Sequence, residues 1–167
     1  MACVNALLPV HRMFTAAPHE SARALLAEAI RAFPGLSEAS ASAWGEDLML
    51  LLTLARNIAP ASPLRVHLET RANDACLRFH ADNVSLRMIC TYRGAGTQWL
   101  PVHAVDLDPL GHGGNGRASS VSEIPTGAVA VMKGLRYPDG GDHALVHRSP
   151  PADAVHPRVV AVVDILI

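Results

Sequence analysis

Phe79-His80-Ala81-Asp82-Asn83-Val84-Ser85-Leu86-Arg87-Met88-Ile89-Cys90-Thr91-Tyr92 is the stretch whose reading decides the fold. As one strand it carries His80, Asp82, Val84, Leu86, Met88, Cys90 and Tyr92 on one parity, and Asn83, Ser85, Arg87, Thr91 and Arg93 on the other. Alternate side chains of a strand share a face. The expectation is therefore that His80 and Asp82 point inward with the apolar residues, while Arg87 and Arg93 face water. A carboxylate buried without compensation is costly, so this placement demands a cation, a hydrogen-bond network or a metal. The same parity makes Cys90 a lining residue of that cavity. It also makes Tyr92 the catalytic candidate, with a hydroxyl able to meet an oxyanion or a co-substrate, the alternative being a core aromatic whose hydroxyl is satisfied locally.

The segments around this strand read as further short strands. Leu64, Val66 and Leu68 alternate with Arg65, His67 and Glu69, the period of a half-buried strand. Gly94-Ala95-Gly96 makes a turn before Thr97-Gln98-Trp99-Leu100, and Trp99 is placed to floor a pocket or simply to pack. Ala128 to Lys133 is a strand closed by Gly134, with Lys133 at its solvated end. His143 to Arg148 is another, and Val159 to Ile167 reads as an apolar strand apt for burial on both faces. Upstream, Ala22, Leu25, Leu26, Ala29, Ile30 and Phe33 recur at helical spacing until Pro34-Gly35 stops them. A second helix is expected from near Ser42, with Leu48, Leu51, Leu52 and Ala55 as its buried stripe, ending before Pro60. The reading is one α+β domain over residues 1–167. Helices in 1–62 serve as scaffold, and they pack on a small β-barrel or sandwich over 63–167.

Composition narrows the function classes. The chain has 167 residues, 50% hydrophobic and 17% charged, with net charge -1 and no run of like charge. This argues against nucleic acid or an anionic membrane as partner. Leu48 to Ala55 is far short of the roughly 20 residues of a spanning helix, and Met1 to Asn5 has no basic leader. A cytoplasmic protein is expected, with a homodimer left open. Its 3 cysteines form no disulfide framework, which suits a reducing compartment. The glycine-rich segment around His112 is neither a phosphate loop nor a dinucleotide fingerprint, and reads as a loop or a lid. No nucleophile elbow is present. Ser149 is read as pointing away from His147, so no triad forms.

Chemistry enters through a third donor. His143, Leu145 and His147 share a parity, which makes His147 the best partner for His80 and Asp82. Two imidazoles and a carboxylate are the ligand set of a facial iron(II) site with open positions. Cys76, four positions before His80, would add a thiolate and shift the preference to zinc. The bland alternative is a buried His-Asp hydrogen-bonded pair in a structural core.

His-x-Asp, a gap and a later His, with Arg158 eleven positions beyond His147, resembles the iron- and 2-oxoglutarate-dependent oxygenases. The run from His147-Arg148-Ser149-Pro150 through His156-Pro157-Arg158-Val159 is most similar to the phytanoyl-CoA-type dioxygenases. That resemblance implies a double-stranded β-helix, iron(II) as metal, 2-oxoglutarate as co-substrate and Arg158 as the anchor of its distal carboxylate, for which a planar guanidinium is suited. A closer resemblance covers roughly residues 64–167. Cys76 to Asn83, Cys90 to Trp99, Lys133-Gly134 and Val146 to Pro151 are similar to the bacterial family catalogued as domain of unknown function 1826. In that family Glu is usual where Gln98 stands here. The family implies no activity, but its link with zinc homeostasis implies a non-catalytic zinc-binding protein as the alternative. Either reading leaves the small-molecule or protein substrate unidentified.

Overall fold

The computed structural model describes residues 9–18, 21–71, 76–101, 121–138, 143–151, 153 and 157–167. Its elements run β1 (His11–Ala16), α1 (Arg23–Arg31), α2 (Glu38–Ile58), β2 (Leu64–Arg71), β3 (Leu86–Arg93), β4 (Gln98–Leu100), β5 (Ser122–Glu123), β6 (Val129–Lys133), β7 (Val146–Arg148) and β8 (Arg158–Ile165). The pairings are antiparallel, and they build one five-stranded sheet in the order β1-β2-β8-β3-β6 and one three-stranded sheet in the order β5-β4-β7. The architecture is thus helices with antiparallel sheets, and among the described residues neither sheet closes into a barrel.

The helices pack where periodicity places them. Leu26, Ala29 and Ile30 of α1 and Leu48, Leu51, Leu52 and Ala55 of α2 form one core with Leu64, Val66, Leu68, Leu86, Met88, Ala161, Val163 and Ile165 of the large sheet. Burying one such Leu, Ile or Val contributes about 1.5–3 kcal/mol, so this layer is the main hydrophobic support of the fold. α2 starts four residues earlier than the sequence suggests. Ser37 caps it by accepting from the Ser40 amide at 3.1 Å, which satisfies one of the amides a helix start leaves open. The amino-terminal region is not purely helical either. His11–Ala16 pairs with β2 as an edge strand, and its mostly exposed side chains give no clear alternation to read.

β8 occupies the centre, between β2 and β3. Apart from Arg158 and Asp164 it is apolar and buried on both faces, since Ala161, Val163 and Ile165 meet the helices while Val160 and Val162 pack on the opposite side with Ile89 and Met132. That second face bounds the interior between the two sheets. β7 is shorter than the expected His143–Arg148, with Leu145 bonded instead to the Lys133 carbonyl at 2.9 Å.

The main correction concerns the opening stretch. β3 begins only at Leu86. His80 pairs with His147 as an isolated bridge, its amide 3.0 Å from the His147 carbonyl and its carbonyl 2.9 Å from the His147 amide, so this residue belongs beside the small sheet. Residues 81–85 then cross to the large sheet. The crossing backbone is satisfied by the turn after β6: the amides of Gly134, Leu135 and Arg136 donate to the carbonyls of Ser85, Asp82 and Val84 at 2.9, 2.9 and 3.0 Å. Gly134 is required there. A Cβ would sit 2.2 Å from the Val84 oxygen and 2.7 Å from that of Asp82.

Candidate metal centre

Parity cannot be counted through the crossing segment, and the consequence is a change of face. Leu86 and Met88 point to the helices, whereas Arg87 and Ile89 line the cavity between the sheets that His80, Asp82 and His147 also line. Arg87 is therefore not a solvated residue. Arg93 is exposed, as expected. Cys90 is buried against Tyr92 and Asp47 on the helix side, outside this cavity. Tyr92 points the same way. Its hydroxyl donates to Asp47 Oδ2 at 2.5 Å, and it lines a separate cavity of about 690 Å³ with Trp44 and Phe33, so the structure keeps it apart from the His-Asp cluster. Burial and the Asp47 carboxylate push the Tyr92 phenol well above its ordinary range.

The three donors picked from sequence do converge. One ligand atom from each of His80, Asp82 and His147 lies within 4.8 Å of the other two. His147 Nε2 is 3.2 Å from Asp82 Oδ2, and His80 Nε2 is 3.6 Å from Asp82 Oδ1. A metal with bonds of about 2.1 Å sets neighbouring donors roughly 3.0–3.4 Å apart, for octahedral and tetrahedral angles respectively, so the 3.2 Å spacing suits one ion and the 3.6 Å spacing needs a small inward shift of His80. The imidazoles are oriented from behind. His80 Nδ1 lies 2.9 Å from the Arg78 carbonyl and His147 Nδ1 lies 3.1 Å from the Leu145 carbonyl. A carbonyl only accepts, so both Nδ1 atoms carry protons, and in the neutral rings both Nε2 atoms present lone pairs to a carboxylate. Such a set repels itself until a cation, either a metal or added protons, enters it. Asp82 raises the His80 pKa above its ordinary value, as expected of an imidazole held against a carboxylate.

Asp82 is also held from the large sheet. Arg87 Nη1 is 2.7 Å from Asp82 Oδ2, while Arg87 Nε and Nη2 donate to Asp164 Oδ1 and Oδ2 at 2.6 and 3.0 Å. Burial alone would raise the Asp82 pKa. His147, His80 and Arg87 outweigh it and hold the carboxyl far below its usual range. Asp82 Oδ2 is nevertheless a buried oxygen without an aligned hydrogen-bond donor among the described residues, the state of an acceptor that still has room for a cation. Asp164 and Arg87 face each other in the β3–β8 register. Sequence reading missed both. The available signal was Asp164 itself, a carboxylate inside an otherwise apolar central strand, which needs a partner.

Arg158 lies in the same cavity and is buried. Its Nε donates to the Ala95 carbonyl at 2.7 Å, and its Nη2 donates to Thr91 Oγ1 and Thr97 Oγ1 at 3.2 and 3.0 Å. Among the described residues these hydrogen-bond acceptors are neutral. Burial, reinforced by Arg71, pushes the guanidinium pKa down to about 10. Gly94, at φ 81°, lets the turn close on Arg158, since a Cβ there would sit 3.0 Å from the Arg158 Cγ. The Cys90 to Trp99 segment thus braces Arg158 through Thr91, Ala95 and Thr97. Gln98 instead accepts from Arg148 Nε at 2.8 Å.

Cys76 lines the cavity but is not among the three converging donors, and its thiol lies against Arg71. Ser149 lines it too, accepting from Arg71 Nη1 at 3.2 Å. His147 and Ser149 are two apart and share a side, so the expectation that they diverge is corrected. Trp99 is half-buried and pairs in register with His147. Lys133 is exposed, its Nζ 4.7 Å from the Tyr137 ring centre. The glycine-rich segment around His112 lies outside the described residues.

The donors fit a single divalent ion. The cavity volume is about 70 Å³, space for roughly two waters at about 30 Å³ each. A five-carbon dicarboxylate is larger than that volume, so its binding would call on the cavity to widen or on its open side. No helix among the described residues is long and apolar enough to cross a membrane.

No curated protein matches the chain. Among solved structures it is similar to the dioxygenase for auxin oxidation 1 of Arabidopsis thaliana in a 2-oxoglutarate binary complex, at 14% identity and TM-score 0.47, covering 94% of this chain and 63% of that one. It is also similar to a candidate 2OG-Fe(II) oxygenase family protein from Caulobacter crescentus, at 15% identity and TM-score 0.46, covering 95% and 56%. Hazelnut (Corylus avellana) vicilin follows at 9% identity and TM-score 0.38, covering 93% and 30%. The chain spans less than two thirds of the length of each of these. A family model matches residues 3–164, and the chain accordingly belongs to the family described as "Protein of unknown function (DUF1826)".

Proposed function

We propose that this protein is a mononuclear non-haem iron(II) oxygenase of the 2-oxoglutarate-dependent type, acting on an unidentified substrate, with its two facing sheets forming a double-stranded β-helix. The observation that carries the reading is the convergence of two imidazole lone pairs on Asp82, with both Nδ1 protons committed to backbone carbonyls. His80, Asp82 and His147 would hold the metal. Ferrous iron bound by such a set supplies oxygen activation through its open positions.

The chain's own residues supply the rest. Arg87 and Asp164 hold the ligand carboxylate in place, and the apolar wall of Ile89, Val160 and Val162 limits water. Arg158 is a buried cation whose neutral partners would yield to a carboxylate, a bidentate contact of the strong kind. Co-substrate entry then calls on the cavity to widen or on its open side, at the expense of the contacts to Thr91 and Thr97. The test is anaerobic addition of iron(II) to metal-free protein, with and without 2-oxoglutarate. A weak visible charge-transfer band and oxygen-dependent succinate release are expected. Iron binding without either result would reject the oxygenase and leave a metal-binding protein.

The second reading, a zinc-binding or metal-handling protein, is favoured by the small cavity and by Cys76 on its wall. Cys76 has φ 60°, a left-handed backbone costing a non-glycine residue about 1–3 kcal/mol, and it would serve as a further ligand. Tight zinc that is weakened by Cys76→Ala supports this reading over the first.

A further inference from the structure

A second set of metal-ligating side chains lies at the edge of the large sheet, on β1 and β2. His11 and Glu69 are opposed in register, and His67 faces Met13 on the same pair, so the three side chains share one face. Their ligand atoms lie within 4.8 Å of one another. His11 Nε2 is 3.3 Å from His67 Nδ1, the spacing of neighbouring donors on one ion, and 3.6 Å from Glu69 Oε1, slightly wider than that spacing. Arg71 Nε engages the other oxygen of Glu69 at 2.5 Å, which fixes the carboxylate and leaves Oε1 for a metal.

The back of the site is also built. His67 Nε2 is buried and has no hydrogen-bond partner among the described residues, and it points to Asp164 Oδ2 at 3.8 Å. A metal on Nδ1 places the ring proton on Nε2, facing that carboxylate. That resembles the carboxylate-histidine-metal arrangement, though 3.8 Å is longer than a hydrogen bond and the ring would have to move toward Asp164 to close it. Asp164 is the same residue that clamps Arg87, and through it Asp82, so one buried ion pair backs both clusters. His11 has a side chain 59% exposed, which leaves the site open to an ion and to water.

We propose that His11, His67 and Glu69 form a second metal site, accessible from solvent and suited to a divalent transition metal of the zinc class. Neutral imidazoles with one carboxylate are donors of that preference. The site is independent of the iron reading of the interior cluster.

The test is a zinc titration of the full, tag-free chain against a chromophoric chelator, run on wild type, His11→Ala, Glu69→Gln and Asp82→Ala. His11 is exposed on an edge strand, so its truncation leaves the fold intact. Wild type should bind one zinc equivalent more than His11→Ala, and Glu69→Gln should weaken that same equivalent. Asp82→Ala should keep it. Equal zinc stoichiometry in wild type and His11→Ala overturns the proposal and leaves a hydrogen-bonded histidine pair. Loss of an equivalent in Asp82→Ala but not in His11→Ala also overturns it, while preserving the interior site.

Discussion

Replacing Asp82 by Ala separates two roles of one carboxylate, in a His11→Ala background that silences the sheet edge. In the metal-free protein Asp82 pairs with Arg87 at 2.7 Å, but Arg87 keeps its two bonds to Asp164 at 2.6 and 3.0 Å. No charge is left alone, and because the Asp82–Arg87 contact is an ion pair without an aligned hydrogen bond, the expected loss is only about 1 kcal/mol. Arg87→Met differs, because it leaves Asp82 and Asp164 without their shared cation, for which about 3–5 kcal/mol is expected. Metal adds a second contrast. At 100 times its Kd it stabilises the folded chain by about 2.7 kcal/mol. A chain of this size shifts its Tm by about 2–4 °C per kcal/mol, so a rise of about 5–11 °C follows. If losing the carboxylate ligand weakens binding about 100-fold, the same metal concentration stabilises Asp82→Ala by only about 0.4 kcal/mol, under about 2 °C. Thermal unfolding followed by circular dichroism, with and without metal, measures all of this. Two results would refute the reasoning: a full metal-induced rise in Asp82→Ala, or an Arg87→Met protein no less stable than Asp82→Ala.

Three further outcomes are expected. In the metal-free chain, the raised His80 contributes stability that is full below about pH 6.5 and fades as pH climbs through its folded value. The depressed Asp82 contributes stability that is present above about pH 3.9 and lost on acidification. Urea midpoints should therefore be highest in the window between, and metal affinity should climb with pH above about 6.5 as His80 gives up its proton. Arg158→Met removes a cation whose pKa burial has lowered to about 10. That leaves the Ala95 carbonyl and the Thr91 and Thr97 hydroxyls without their donor, at about 1–3 kcal/mol, so Tm should fall and metal stoichiometry should stay constant, while the 2-oxoglutarate-dependent absorption disappears. Retention of that absorption would rule Arg158 out as the anchor. Gly134→Ala drives a Cβ to 2.2 Å from the Val84 oxygen and 2.7 Å from that of Asp82, both backbone atoms. A cost of about 1–3 kcal/mol is expected from such overpacking, with weaker metal binding because the displaced segment carries Asp82. Unchanged Tm and metal affinity in this variant would show that the turn does not position the ligand.

Residue types and spacing were enough to pick out His80, Asp82 and His147, whose donor atoms the fold brings together, because the chemistry of a metal requires particular donors whatever the fold around them, and Arg158, picked the same way, lies in the same cavity. Periodicity was likewise enough for the buried stripes of α1 and α2, for β2 and for the central β8, where long-range packing repeats a local pattern. The edge strand β1 escaped, since an edge leaves much of its surface to water and erases the alternation. Tyr92, Cys90 and Arg87 were assigned to the wrong faces for one reason: parity survives only while the backbone stays extended, and it breaks in residues 81–85, whose hydrogen bonds go to the turn at Gly134. Which charges meet was decided by tertiary structure alone. Arg87 reaches Asp164 across 77 positions and Arg158 reaches Thr91 across 67, and such pairings come from sheet register, which no local pattern encodes. The sequence by itself determined which groups could bind a metal. Only the folded chain determined that two imidazole lone pairs and a carboxylate share one small cavity, and that the ion pair behind it also backs a second cluster of donors at the sheet edge.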